Sequence, residues 1–276
     1  MMNQAPRGSL SWLRLTAALP LFAGLLVAFG ASARPSTPSM QGSDQAVAQG
    51  DPNSISVVVT SQDPKHPLVN GEAVAVENLA AYIEGLGLER TSVVVNLEAD
   101  PETKMEAVND VKDQLRKALV LKLYYRQTGA DPGVQRRLPP PVGVGGTVTP
   151  AEALKNIDRN NILAVRINSA DRILAGATVV KDDQHLLDLC KEFVRDHAPK
   201  AVISLRMDKA TSYLKFFAVQ NLLKQAYDEV RGEQARSRYG KAFEELDDAE
   251  REAIYQEVPM AISEADLTDR PQPVKR

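Results

Sequence analysis

The strongest constraint on this chain is that it repeats itself. VVVNLEADPETKMEAVNDVKDQLRKA (93–118) and AVISLRMDKATSYLKFFAVQNLLKQA (201–226) superpose at a constant offset of 108 residues. Leu97 falls on Leu205, Asp100 on Asp208, Thr103 on Thr211, Val111 on Val219, Leu115 on Leu223 and Ala118 on Ala226. Each copy reads as a β-branched strand, a D-x-x-T helix start and an apolar stripe at helical spacing. Two copies point to a tandem of one small module, because a solenoid needs about three or more repeats.

The flanking segments complete each copy. ISVVVT (55–60) reads as a strand, Asn70-Gly71 as a turn, 74–86 as a helix and LVLKLYY (119–125) as a closing strand. Asp100 and Asp208 are expected to be helix N-caps worth about 1 kcal/mol each. Met105, Val108, Val111, Leu115 and Ala118 form the buried stripe of the first copy's second helix. In the second copy, NILAVRIN and RILAGATVV read as strands and 183–197 as a helix. A long helix is expected from Asp208 to about Arg238, with Gly240 as its stop. Asp247 with Glu250 is a capping box for another helix, and MAIS (260–263) reads as a last strand.

The fold expected is α+β: two tandem β-β-α-β-α-β modules, each a small sheet with helices on one face, the second with a helical C-terminal extension. The modules span 55–126 and 161–266. The Pro/Gly-rich stretch 127–160, containing Pro139–Pro141, reads as a connector, and 267–276 as a polar tail. Thr149 to Glu152 matches a capping box for a short helix.

Residues 15–33, LTAALPLFAGLLVAFGASA, carry no charge. Arg7 and Arg14 precede them and the first acid is Asp44. The bias of positive charge toward the cytoplasm places everything after residue 33 on the far side of a membrane. Two readings of 1–33 stay open. One is a signal peptide cut after Ala31-Ser32-Ala33, which is favoured; the other is an uncleaved membrane anchor. Residues 34–54, rich in Pro, Ser, Gln and Gly, form a flexible linker. Both readings put the bulk of the chain in the periplasm.

Little in the composition points to chemistry. The formal net charge of −3, without a dense basic stripe, gives no footprint for nucleic acid. The single cysteine, Cys190, lies on an apolar helical face with Leu186 and Phe193 and reads as a buried structural residue. His185 and His197 have no carboxylate or cysteine at matching spacing, so no metal site is expected. Gly143, Gly145 and Gly146 lack the Lys-Ser/Thr of a phosphate loop. With no nucleophile–base pair, paired carboxylates or cofactor fingerprint, the expectation is a non-enzyme without cofactors. Tyr213 and Phe216 fall on Met105 and Val108 and read as core. Phe217 falls on Asn109 and is the better candidate for a contact surface, together with Ile262 and Ser263 on the last strand.

Several stretches carry a resemblance. RRLPPP (136–141), NILAVRINSADRILAGATVV (161–180), AVISLRMDKATSYLKFFAVQNLLKQAYDEVR (201–231), YGKAFEEL (239–246) and VPMAISEAD (258–266) resemble the exported part of ExbD, the biopolymer transport protein related to TolR. The second module looks like a long-tailed ExbD branch. The first, with its N-G turn, V-x-V-x-L-x-A-D and helical V-x-x-V, is similar to the shorter general pattern. The resemblance implies a component of a TonB-ExbB-ExbD type, proton-motive-force-coupled system. It also implies ExbB-, ExbD- and TonB-like partners, pairing as a homodimer and, by analogy with TolR, contact with peptidoglycan. A peptidoglycan-binding or scaffold module is the alternative. The family carries protons on an aspartate within its membrane helix, as relay chemistry requires. Residues 15–33 contain no ionisable side chain, so that role transfers to no residue here.

Overall fold

The computed structural model describes residues 53–89, 92–127, 130–138 and 157–264. The apolar run 15–33, residues 34–52 of the expected linker 34–54 and the capping box at Thr149 to Glu152 lie outside them, while Ser54, expected in the linker, opens the first strand. Among the described residues no helix is long and apolar enough to cross a membrane. The architecture is mixed α+β, with two sheets and five α-helices among the described residues.

The first module contains β1 (Ser54–Val59), β2 (Leu68–Val69), β3 (Glu72–Ala73), α1 (Leu79–Gly85), β4 (Val94–Ala99), α2 (Met105–Lys117), β5 (Lys122–Gln127) and β6 (Ala130–Arg137). The second contains β7 (Ile162–Ile167), β8 (Ile173–Ala175), β9 (Thr178–Val179), α3 (Asp183–His197), β10 (Val202–Met207), α4 (Tyr213–Tyr239), α5 (Asp248–Glu257) and β11 (Ile262–Ser263). Strand order is β3-β2-β1-β4-β5-β6 in one sheet and β11-β10-β7-β8-β9 in the other.

The repeat in sequence is a repeat in register. Parallel β1 and β4 pair Ser54 with Val94, and parallel β7 and β10 pair Ile162 with Val202, so both pairs sit at the same spacing. The first sheet buries one face. Ile55, Val57, Val59, Val95, Leu97, Leu123 and Tyr125 are fully buried, while their strand neighbours Ser56, Val58, Asn96 and Glu98 are not. Asn70 and Gly71 both take positive φ, 52° and 90°, and close the β2–β3 hairpin as the Asn-Gly signal required. Asp182 accepts from His185 N (2.8 Å) and starts α3. Gly240, at φ 68°, ends α4. Asp247 and Glu250 cap α5 reciprocally.

Three expectations fail here. Neither Asp100 nor Asp208 caps a helix. Asp100 accepts from Ser61 N and Oγ, Asp208 accepts from Ala210 N, and the helices begin only at Met105 and Tyr213. Ser212 is the residue that caps α4. The closing strand starts at Lys122 rather than 119, because Leu119 takes a left-handed φ of 58°. And the supposed connector contains β6, which pairs antiparallel with β5. Gly133 permits that pairing: a Cβ there would lie 2.4 Å from the Tyr125 carbonyl oxygen.

The D-x-x-T segments have another task. In each copy the Asp N–H binds the preceding parallel strand (Asp100 to Val59 O, Asp208 to Ile167 O), and the Thr N–H closes a turn onto the Asp carbonyl. The two segments then pair with each other. Met105 N donates to Thr211 O (2.9 Å) and Tyr213 N to Thr103 O (2.7 Å). Glu106 N donates to Lys209 O (2.9 Å) and Leu214 N to Pro101 O (3.0 Å). Each bond maps onto its mate under the repeat offset, with Lys104 opposite Ser212 at the centre. The repeats are therefore related by a local two-fold axis within one chain, and one apolar cluster runs through both. Tyr213 crosses the seam, donating its hydroxyl to Arg126 O (2.6 Å) and Leu97 O (3.2 Å), while Phe216 packs edge-on against Tyr125 at 4.9 Å.

Candidate partner-binding surface

The face of the second sheet turned away from the core carries a row of side chains set by strand register. Arg206 on β10 stands opposite Arg166 on β7, Arg166 opposite Leu174 on β8, and Leu174 opposite Val179 on β9. Their strand neighbours Leu205, Val165 and Ala175 point inward and are buried. Where β7 and β10 end, this row opens into a groove of about 520 Å³ lined by Ile167, Ile173, Met207 and Arg172 as well. Three arginines and one aspartate, Asp208, border an apolar floor, and Val179 is 67% exposed. In the first sheet the equivalent row is Arg126, Glu98, Val58, Leu68 and Ala73, mixed in charge, so the basic groove belongs to the second copy alone.

The groove ends at an open sheet edge. Among the described residues β9 pairs only with β8. Val180 N donates to Ile173 O (3.0 Å), which makes Leu174–Val179 a non-hydrogen-bonded pair. The backbone N–H and C=O of Val179 are thus directed away from the sheet, toward any added strand. The β7–β8 loop that walls the groove is stiff. Asn168 Oδ1 accepts from Ala170 N and Arg172 N, and Asp171, at φ 56°, accepts from Ser212 N and Oγ. The last contact ties the groove wall to the seam.

A buried polar cluster fills the seam. Glu264 accepts from Lys112 Nζ (2.5 Å), Tyr125 Oη (3.0 Å) and Gln220 Nε2 (2.8 Å). Arg136 on β6 donates to Gln220 Oε1 from Nε and Nη2 at 2.9 and 2.6 Å. Burial works to raise the Glu264 carboxyl, but the Lys112 ammonium, its hydrogen bond, the Tyr125 hydroxyl and Arg136 outweigh it and hold the group below its usual value. Burial, reinforced by that carboxylate, pushes the Tyr125 phenol well up, and burial draws the Arg136 guanidinium down.

The residues singled out in sequence scatter. Phe217 is only 4% exposed and stacks on Tyr213 with ring centres 6.1 Å apart. It is a core residue, because α4 is covered on more than one side, by α3 and by the first module. Ile262 and Ser263 do form β11, an edge strand parallel to β10, half-buried rather than open. Cys190 is fully buried and its thiol is pushed up to about 12 by that burial. His197 stacks on Phe193 and bonds its carbonyl, His185 accepts from Lys181 N, and His66 meets Asp63. Among the described residues no group of His, Cys, Asp and Glu is placed to hold a metal.

Arg166 and Arg206 fall on Val58 and Glu98 of the first copy, so the repeat gives no sign of them, but the second-copy strands do. Both strands place their arginine before the last apolar residue, and parallel pairing in register makes them neighbours. No protein-family model, curated protein or solved structure matches the chain.

Proposed function

We propose that this chain is an ExbD/TolR-like periplasmic component of a proton-motive-force-coupled, TonB-ExbB-ExbD type transport system, working by protein contact and not by catalysis. The resemblance of the quoted motifs supplies the family. The observation that carries the contact role is the basic, apolar groove running to the open edge at Val179. An extended segment adding beside β9 gains main-chain hydrogen bonds from the edge and side-chain specificity from the groove. Arg166, Arg172 and Arg206 outnumber Asp208 around the groove, so a segment carrying acidic side chains fits best.

The test is cross-linking of the exported chain in its native envelope, followed by identification of what it holds. ExbB-, ExbD- or TonB-like proteins are expected, and Val179→Pro, which removes the outward N–H at an edge position that tolerates proline, should abolish their capture. Capture of none of them, or equal capture by the variant, refutes the reading. Retention on isolated peptidoglycan that ignores Val179→Pro favours the alternative, a wall-binding module.

A further inference from the structure

The seam residues have diverged between the copies in a way that decides what pairs with what. Lys112 and Gln220 are equivalent under the repeat offset. Glu264 and Tyr125 are equivalent as well. Ile262 lies opposite Ile203 and Leu123 opposite Val95, which are matched positions, so Glu264 and Tyr125 follow two residues on. About the local two-fold, one copy presents a lysine and a tyrosine and the other a glutamine and a glutamate. Paired as they are, the carboxylate meets the ammonium, the phenol and the amide together.

Like-with-like pairing has no such solution. Two first copies would bring two Lys112 ammoniums and two Tyr125 phenols together with no carboxylate from this set. Two second copies would set two Glu264 carboxylates against each other with only Gln220 amides, since Arg136 belongs to the first module. A buried charge without its partner is strongly unfavourable, and two carboxylates sharing one site cannot both stay ionised. The backbone half of the seam gives no such preference, because its four hydrogen bonds form equally between any two D-x-x-T segments.

We infer that this seam is a two-fold pairing surface made heterotypic, in which Lys112 and Tyr125 on one copy and Gln220 and Glu264 on the other specify pairing within the chain and exclude self-association of like copies. A single-repeat protein would satisfy the same backbone surface only by dimerising. This chain satisfies it alone and leaves its groove face for other partners.

Cysteine trapping at the two-fold tests this in the full chain. Lys104 and Ser212 form a non-hydrogen-bonded antiparallel pair, where Cα atoms lie about 4.5 Å apart and a disulfide fits. The only native cysteine is buried. Lys104→Cys/Ser212→Cys is expected to oxidise within one chain and to run as a monomer without reductant. Lys104→Cys alone and Ser212→Cys alone are expected to stay uncross-linked. A like-with-like seam would place each single cysteine against its own copy, so efficient covalent dimers from either variant overturn the inference. In the double-cysteine background, Gln220→Lys/Glu264→Tyr gives both copies the same seam and should slow intrachain closure about tenfold. Unchanged closure also overturns it. Lys112→Glu should slow closure as well, and adding Glu264→Lys should restore it. That rescue separates lost specificity from lost folding, and its failure counts against the assignment.

Discussion

Replacing Lys112 by Met tests how the two modules are held. The Lys112 side chain is 4% exposed, its ammonium lies 2.5 Å from Glu264, and it sits 5.7 and 5.9 Å from the ring centres of Tyr125 and Phe216. Methionine keeps the apolar stem and removes the charge. Breaking a buried ion pair from one side costs about 3–5 kcal/mol. Glu264 keeps the Tyr125 and Gln220 hydrogen bonds, with Arg136 close by, so the expected loss is at the low end, about 3 kcal/mol. For a folded body of about 200 residues that lowers the thermal midpoint by roughly 6–12 °C. The pH dependence is sharper. In the native protein the folded Glu264 pKa lies below its ordinary 4.5, so its contribution is present above that value and lost as pH falls through the folded pKa. Without Lys112, burial dominates and raises the folded pKa above 4.5. The variant's carboxyl then stabilises only at low pH, and that stability is lost as pH rises through the new folded pKa. Calorimetry or urea unfolding from about pH 4 to about pH 7 should therefore show the gap between the two proteins widening with pH. A gap under about 1 kcal/mol at neutral pH, or one independent of pH, refutes the account of the cluster.

Two further outcomes are expected. Gly133→Ala forces a Cβ to 2.4 Å from Tyr125 O and 2.5 Å from Tyr124 Cε1, so urea unfolding should show β6 displaced at a cost of about 1–3 kcal/mol. Mass spectrometry of the mature protein should find its N-terminus at Arg34, as cleavage after Ala33 requires; retention of Met1 or Met2 with the protein in the membrane makes 15–33 an anchor.

The repeat, the helix stripes, the Asn-Gly hairpin, the α5 capping box and the Gly240 stop were all legible because each is set by residues a few positions apart. Local reasoning also explains the misreadings. Asp100-Pro101 and Asp208 look like helix starts within their own copies. Their real conformation depends on pairing with a segment 108 residues away, which no local pattern encodes. Lys112 sits four residues after Val108 on the buried side of α2, and nothing near it in the sequence marks its partner. Its partner, Glu264, lies on the last strand of the other module, and their meeting is a property of the two-fold seam alone. Phe217 looked free because its counterpart is Asn109; α4 is longer than α2 and is covered on sides that α2 leaves open.

By itself the amino-acid sequence determined that there are two α+β modules of one kind, in tandem, with most of their strands and helices in place. Only the tertiary structure decided that the modules share one core about a local two-fold, that a buried carboxylate locks them together, and that the open surface is a basic groove on the second sheet. The reason is physical. Hydrophobic periodicity and capping act over one or two turns of chain, whereas the seam and the groove exist only where distant strands and helices are brought into register.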